Sequence, residues 1–216
     1  MTEVGLPATD IAESAPHGRR TGGTDALFNL PRSIPLVLDL DGTLIKGDLL
    51  YLSFVSILRH NPLIVIPCAA WLARGRAALK RQLALRHRID WDRIEFHHDV
   101  VELAGREKST GRRVVLATAA DALLAGELAS RLACIGLCID QVLASDGKHN
   151  LKGANKADLL RRSFPEGFIY AGDSSSDLAV WAHAAAIITV NARTTIRAAA
   201  DRLGKPTLHL PARAQP

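Results

Sequence analysis

The sequence predicts an α/β protein built on a doubly wound, Rossmann-like parallel sheet. Three observations lead to this class. Short apolar runs alternate with helical patterns from residue 113 onward, which is typical of a parallel sheet covered by helices on both faces. A further apolar run at residues 34–38 precedes a long helical insertion. Polar residues follow several of these runs directly, and ligands of such sheets bind beyond the carboxyl ends of the strands.

The first strand is expected at residues 34–38, because an apolar run of this length bounded by glycine is typical of a buried parallel strand. Asp48 and Pro62 then open helical segments, and Leu79 and Leu83 have helical spacing. The residue pattern of the insertion therefore predicts helices at residues 48–59, 62–73, 76–87 and 91–109.

The remaining elements alternate in type. Strands are expected at residues 113–118, 139–143, 167–171 and 186–190, with an edge strand at 207–210. The helices between and after them are expected at residues 120–132, 156–162, 174–185 and 194–203.

The bulk properties indicate a cytoplasmic protein with one core domain. The chain has 216 residues and 48% hydrophobic content, enough for a core and an inserted subdomain. Its three cysteines form no metal-ligand pattern and are typical of a reducing compartment. Residues 1–30 begin without the apolar stretch of a signal peptide and predict a disordered tail.

The net charge of +5 is concentrated in the helical insertion. One interpretation is a solvated helical face, and the other is a positive surface over an anionic substrate or the inner face of a membrane. The apolar stretch at 49–72 is broken at residues 59–62, which favours a helical hairpin over a membrane span and leaves peripheral membrane contact as an alternative. Nucleic acid is disfavoured, since no binding motif is present and aromatics do not alternate with the charges.

The pentapeptide Asp39-Leu40-Asp41-Gly42-Thr43 follows the first strand. Two carboxylates two residues apart in extended chain point to the same side. Their repulsion predicts a site that holds a metal ion, a shared proton, or both. The alternative is a polar turn with two solvated aspartates.

Comparable polar residues follow two later strands. Thr118 ends the second predicted core strand, where a threonine also serves as a helix cap. Asp173 and Asp177 follow Gly172 after a third apolar run. Lys156 stands at an expected helix start after the candidate cap Asn155, which favours it over Lys152 as the lysine of the site.

These motifs, in this order, resemble those of the haloacid dehalogenase-like (HAD) hydrolase superfamily over residues 36–191. The resemblance implies a core formed by residues 31–46 and 110–216, and a helical cap at 47–109. It implies phosphatase activity with Asp39 as nucleophile, forming an aspartyl-phosphate, and Asp41 as proton donor and acceptor. The phosphoryl group would be bound by Thr118, Lys156 and the backbone N–H groups of the Gly42-Thr43 loop.

The same resemblance implies Mg²⁺ as cofactor, a cation that prefers oxygen ligands. The implied metal residues are Asp39, Asp173, the backbone carbonyl of Asp41, and Asp177, which acts through water or by orienting Lys156. Superfamily members that cleave carbon–halogen or carbon–phosphorus bonds lack the second carboxylate, so Asp41 favours phosphate esters.

The substrate is less defined than the chemistry. Asp48 stands where phosphoserine phosphatase-like members carry an acidic residue that meets the substrate amino group. The segments at residues 71–80, 150–153 and 177–181 look more like the HAD domain often joined to UbiA-type prenyltransferases. This likeness implies a sugar phosphate or a polyprenyl-phosphate-linked sugar phosphate as substrate, and contact with such a transferase. The alternatives are a phosphomutase and a non-catalytic accessory module of a membrane transferase.

Overall fold

The computed structural model describes residues 29–210 of the chain. Six strands form one entirely parallel sheet in the order β3-β2-β1-β4-β5-β6. This is the strand order of doubly wound dinucleotide-binding folds, so the predicted class is confirmed. The strands are β1 (Leu36–Leu38), β2 (Val114–Asp121), β3 (Gln141–Ser145), β4 (Ile169–Gly172), β5 (Ala186–Val190) and β6 (Thr207–Leu210).

Eight α-helices flank this sheet within the described range. They are α1 (Leu49–Leu58), α2 (Val65–Ala73), α3 (Arg76–Ala84), α4 (His98–Ser109), α5 (Ala122–Cys134), α6 (Ala154–Ser163), α7 (Leu178–Trp181) and α8 (Thr194–Asp201). The helix expected at 91–109 is wrong in its first half, because Phe96 is extended and pairs with Ile45. The helix expected at 174–185 is shortened to α7 and a preceding 3₁₀ turn at Ser175–Asp177.

Strand β1 lies at the centre of the sheet, with Leu36 in register with Val114 on one side and Ile169 on the other. Its three residues are fully buried. Leu36 and Leu38 face one apolar core and Val37 faces the other, as the two-residue repeat of extended chain requires. The first strand is therefore buried on both faces, and its carboxyl end opens toward the cap.

Helices α1 to α3 form the cap and share a small apolar cluster built around Ile57, Ile64 and Leu83. Helix α4 does not belong to it, since Val100 and Leu103 pack with the sheet residues of the main core. Residues 98–109, which the sequence assigned to the cap, therefore place buried side chains in the main core. Among the described residues, no helix combines the length and the apolar character needed to cross a bilayer.

The segment before β1 is held by a buried ion pair between Arg112 and Glu107, which we call the clasp. Arg112 is 1% exposed and donates from Nε to Glu107 Oε2 at 2.6 Å. Its other nitrogens donate to the backbone carbonyls of Leu30, Pro31 and Ile34. Residues 29 and 30 of the expected disordered tail are thus part of the fold, and residues 1–28 lie outside the described range.

Candidate active site

Asp39 follows β1 directly and is fixed by a backbone hydrogen bond and by an ion pair. Its backbone N–H donates to the carbonyl of Ala171 on β4 at 2.9 Å. Its carboxylate accepts from Lys156 Nζ, 2.7 Å from Oδ1. Burial raises the pKa of Asp39, and Lys156 opposes that rise. Since an unpaired buried carboxylate is strongly disfavoured, the ion pair with Lys156 favours the ionised form of Asp39.

The structure places Lys156, not Lys152, against Asp39. Lys156 is 3% exposed on the inner face of α6, whereas Lys152 is exposed to solvent. The helix begins two residues earlier than expected, at Ala154, with Gly153 as its N-cap residue. Asn155 is therefore not the cap; it lies inside the first turn and donates from Nδ2 to the backbone carbonyl of Asn150.

The loop after β4 brings two more carboxylates to the same place. Oxygen atoms of Asp39, Asp173 and Asp177 all lie within 4.8 Å of one another. Burial raises the pKa of Asp173 to about 7, and the charges of Asp177 and Asp39 add to this rise. A divalent cation would relieve this repulsion, and an all-oxygen donor set fits Mg²⁺. The residues present therefore fit the implied metal.

Two glycines make this crowding of carboxylates feasible. Gly42 has φ +75°, and a Cβ atom there would lie 2.4 Å from Asp173 Oδ2. A Cβ atom on Gly172 would lie 2.7 Å from Asp177 Cγ. Any larger residue would push a carboxylate out of the cluster.

Tyr170 is a buried member of the site that the sequence did not single out. Its hydroxyl accepts from Lys156 Nζ at 2.8 Å and donates to Asp177 Oδ1 at 2.9 Å. A chain of bonds thus runs from Asp177 through Tyr170 to Lys156 and on to Asp39. The signal in the sequence was a single polar aromatic residue in an otherwise apolar strand.

Asp177 organises the acidic loop from within. Its Oδ2 accepts from the backbone N–H groups of Asp173 and Ser174 and from the Ser174 hydroxyl, while Oδ1 accepts from Tyr170. A carboxylate with this many donors is firmly oriented. It is therefore suited to positioning Asp173 and Lys156 around a metal.

Asp41 is turned toward the start of the cap. Its Oδ1 accepts from the backbone N–H of Leu49 at 2.8 Å. Burial raises the pKa of Asp41 to about 7, with additional contributions from the charges of Asp48 and Asp39. A carboxyl group with this pKa exchanges protons readily at neutral pH, as a general acid and base must.

The Gly42-Thr43 loop differs from expectation in its backbone. The N–H of Gly42 donates to the carbonyl of Gly47 at 3.1 Å, and that of Thr43 donates to Leu40 at 3.3 Å. Both donors expected for phosphate are thus engaged, because the loop closes on itself as a compact turn. The Thr43 hydroxyl is buried and has no partner among the described residues. It is the polar atom of this loop left to serve a ligand.

Thr118 lies within β2, which extends three residues further than expected. It is fully buried, and its Oγ1 accepts from the backbone N–H of Ala120 at 2.9 Å. That bond uses an oxygen lone pair and leaves the hydroxyl hydrogen for donation.

Two residues join the cap to this site. Asp48 caps α1, accepting from the backbone N–H of Tyr51 at 2.9 Å, and its side chain is exposed. Lys80, which the sequence placed only in a basic region, reaches from α3 into the core. Its Nζ donates to the Ala119 carbonyl at 2.6 Å and to Asn150 Oδ1 at 2.9 Å. Burial lowers the pKa of Lys80, and the charge of Asp41 opposes this.

Two cavities adjoin these residues. An open cleft of about 740 Å³ reaches Gly42 and Asp173 and is otherwise lined by groups such as Lys46, His97 and Asn191. A smaller groove of about 390 Å³ lies inside the cap. Asp48 is the one charged residue among those that line the groove, which are Asp48, Leu50, Tyr51, Phe54, Cys68, Leu79 and Leu83.

Comparison with known proteins gives a fold and one sequence relative. No protein-family model matches the chain. The uncharacterised protein y4nM of Sinorhizobium fredii is 38% identical over 159 residues, which cover 74% of this chain and 30% of that protein. The chain therefore spans less than a third of the length of this relative.

Several solved structures share the architecture. A protein of unknown function from Bordetella pertussis aligns with a TM-score of 0.60 and 14% identity, over 81% of this chain and 98% of that chain. A HAD family hydrolase from Salmonella enterica serovar Typhi aligns at 0.55 and 15% identity, over 84% and 68%. A substrate-bound phosphoserine phosphatase aligns at 0.54 and 16% identity, over 82% and 92%. At these identities the likeness establishes the fold.

Proposed function

Since this chain has the haloacid dehalogenase-like fold, we propose that it is a Mg²⁺-dependent phosphomonoesterase acting through an aspartyl-phosphate. One observation carries the proposal. Asp39 meets Lys156 Nζ at 2.7 Å and has carboxylate oxygens of Asp173 and Asp177 within 4.8 Å. A nucleophile, a fixed cation and a divalent-metal donor set at one point are what phosphoryl transfer requires.

In the first step, a carboxylate oxygen of Asp39 attacks phosphorus and the bond to the ester oxygen breaks. Asp41, protonated in part at neutral pH because its pKa is about 7, gives its proton to the departing oxygen. In the second step, Asp41 takes a proton from a water molecule as that water attacks phosphorus. The bond to Asp39 then breaks and inorganic phosphate leaves.

The remaining residues neutralise and orient the phosphoryl group. Lys156 and the hydroxyl groups of Thr43 and Thr118 are assigned to its oxygens. Mg²⁺, held by Asp39, Asp173 and the backbone carbonyl of Asp41, would supply positive charge to the same oxygens. Asp177 and Tyr170 hold this arrangement together.

The decisive experiment replaces the nucleophile. Asp39→Asn should lower Mg²⁺-dependent hydrolysis of p-nitrophenyl phosphate by about 10⁴-fold while circular dichroism and the melting temperature show an intact fold. Asp158→Asn, an exposed aspartate on α6, is the matched control and should retain full activity. Retained activity in the Asp39→Asn variant would contradict the proposed mechanism. Incorporation of oxygen from labelled water into the released phosphate separates hydrolysis from a phosphomutase reaction.

For the substrate, we infer a phosphate ester with an apolar portion, of the polyprenyl-phosphate-linked sugar phosphate class. The apolar groove in the cap supports this, since one of its lining residues, Asp48, is close enough to Asp41 for their charges to interact. The test compares kcat/KM for a short-chain prenyl-linked sugar phosphate, the same sugar phosphate without lipid, and phosphoserine. Preference for the lipid-free sugar phosphate or for phosphoserine would exclude the lipid-linked class.

A further inference from the structure

Helix α2 lies on the surface with an apolar face that nothing covers within the described residues. None of its nine residues is buried. Ile66 is 68% exposed, Leu72 is 52% exposed, and Leu63 just before the helix is 69% exposed. Apart from Cys68 and the indole N–H of Trp71, the helix carries no polar side-chain group. A surface helix normally presents polar residues to water, so this face is unusual.

The exposed residues of α2 form one continuous stripe. Val65, Ile66, Ala69, Ala70, Leu72 and Ala73 are exposed, and their spacing of three, four and seven places them on one side of a helix. The opposite side carries Cys68 and Trp71, which pack against the apolar cluster of the cap. The helix therefore has an inner face that holds it to the cap and an outer face without a partner.

The charged residues of the segment that contains this stripe all have one sign. Residues 49–89 contain seven Arg or Lys residues and no Asp or Glu. Every acidic residue of the chain lies outside this segment, so the net positive charge of the protein resides in the cap. Arg59, Arg74 and Arg76 are exposed close to the two ends of α2, and no ion pair engages them among the described residues.

We propose that the outer face of α2 binds the surface of an anionic lipid bilayer. The apolar stripe would enter the boundary between headgroups and acyl chains, with the helix parallel to the membrane plane. The arginines at its ends would lie at the level of the phosphate groups, each strengthening binding by roughly fivefold at low salt. The helix is too short to span, so the contact is peripheral.

A second copy of the chain is a poorer occupant of this face. Two α2 faces related by a two-fold axis would bring their arginines together. Residues 49–89 offer no carboxylate to compensate them, and like charges facing each other across an interface are costly. An anionic bilayer supplies both the apolar layer and the opposite charge.

The test is flotation of the full chain with lipid vesicles. Vesicles of phosphatidylcholine and phosphatidylglycerol at about 7:3 should bind the protein, pure phosphatidylcholine should bind it at least tenfold more weakly, and salt near 0.5 M should weaken binding. Ile66→Glu and Arg74→Glu should each reduce binding at least fivefold. Ile135→Glu is the matched control, because Ile135 is 63% exposed but follows α5 in the core.

Any of four results would overturn the proposal. The first two are unchanged vesicle binding by Ile66→Glu and no binding of the native chain to anionic vesicles. Another is a native dimer in light scattering that Ile66→Glu dissociates, which would make a second copy the occupant. The fourth is strong protection of α2 from hydrogen exchange without vesicles, which would mean that another part of the chain covers it. Asp39→Asn should bind vesicles like the native chain, so this test is independent of the proposed activity.

Discussion

At the level of single residues, the acidic site depends on two glycines, which have no Cβ atom. Gly42 and Gly172 lie directly against Asp173 and Asp177, and their hydrogen atoms leave the space that these carboxylates occupy. Burial and mutual repulsion raise the pKa of Asp173 to about 7. The carboxylates of the cluster therefore repel one another, and a cation would relieve this repulsion. The glycines allow the carboxylates to lie this close together.

Gly42→Ala should weaken Mg²⁺ binding at least tenfold. The new methyl group would lie 2.4 Å from Asp173 Oδ2 unless the carboxylate moves away, and the φ of +75° adds strain of about 1–3 kcal/mol. Isothermal calorimetry measures the affinity. Gly111→Ala is the control, because Gly111 also has a positive φ but open space around it. It should lose stability without losing metal affinity, and equal Mg²⁺ affinity in the native protein and Gly42→Ala would contradict the argument.

Tyr170→Phe should lower kcat by about 10–100-fold with a small change in KM. The substitution removes the hydroxyl that links Lys156 to Asp177, so the ammonium group loses one of the contacts that direct it at Asp39. Steady-state kinetics with p-nitrophenyl phosphate measure the effect. A native kcat in Tyr170→Phe would show that Lys156 needs no such support.

The sequence allowed Asp39, Thr118 and Asp173 to be grouped because polar residues at the carboxyl ends of parallel strands meet at one edge, and the family resemblance added Lys156. Tyr170 was missed because a strand aromatic is normally core, and its partners depend on tertiary packing. The sequence did not predict that the backbone N–H groups of Gly42 and Thr43 bond to carbonyl groups of their own loop. Their engagement depends on how the chain turns at Gly47, which no local pattern specifies.

At the level of secondary structure elements, the boundaries that failed are those set by distant partners. Residues 94–97 cannot be helical because Phe96 pairs with Ile45 and the backbone N–H of His97 donates to Leu44. The chain after β4 turns tightly because the Asp177 side chain captures backbone donors at its own helix start. Elements with a local signal were placed to within a few residues, as α1 shows with Asp48 as its cap.

Helix α3 fastens the cap to the core, and Arg81→Met should loosen it. Arg81 Nε lies 3.2 Å from Asp121 Oδ2, a buried atom without another partner among the described residues. Removing the guanidinium would leave that charge unpaired and cost about 1–3 kcal/mol. Hydrogen exchange should accelerate in α3 before it does in the sheet. Arg88→Met, at an exposed arginine of the same region, should leave the exchange of α3 as it is. Slow exchange in both variants would mean that apolar contacts alone hold the cap.

At the level of the whole molecule, the strand order brings together residues that are far apart in sequence. Strand β1 lies between β2 and β4, so Asp39 becomes a neighbour of both Thr118 and Asp173. Alternation of strands and helices indicated a parallel sheet, but it did not specify which strands are adjacent. It also could not show where α4 packs, because an amphipathic helix suits a cap and a sheet equally well.

The end of the sheet opposite the site is secured by Arg112, which bonds three backbone carbonyls and Glu107 while almost fully buried. Arg112→Met should therefore lower the free energy of unfolding by about 1–3 kcal/mol, because it leaves the buried carbonyl acceptors without a donor and Glu107 with only the partly exposed Arg32 as an ion-pair partner. Urea denaturation measures this. The adjacent Arg113→Met is the control and should cost less than about 1 kcal/mol, since Arg113 is exposed.

A double substitution of Arg112 and Glu107 tests how much of the stability comes from their ion pair. The double variant Arg112→Met, Glu107→Met should recover part of the lost stability, because no ionised group then remains buried at this place. Activity per folded molecule should stay native in all three variants, since the clasp binds the chain before β1 and the catalytic residues follow the opposite ends of the strands. A double variant no more stable than Arg112→Met would show that the three carbonyl contacts, rather than the ion pair, hold the entrance to the sheet.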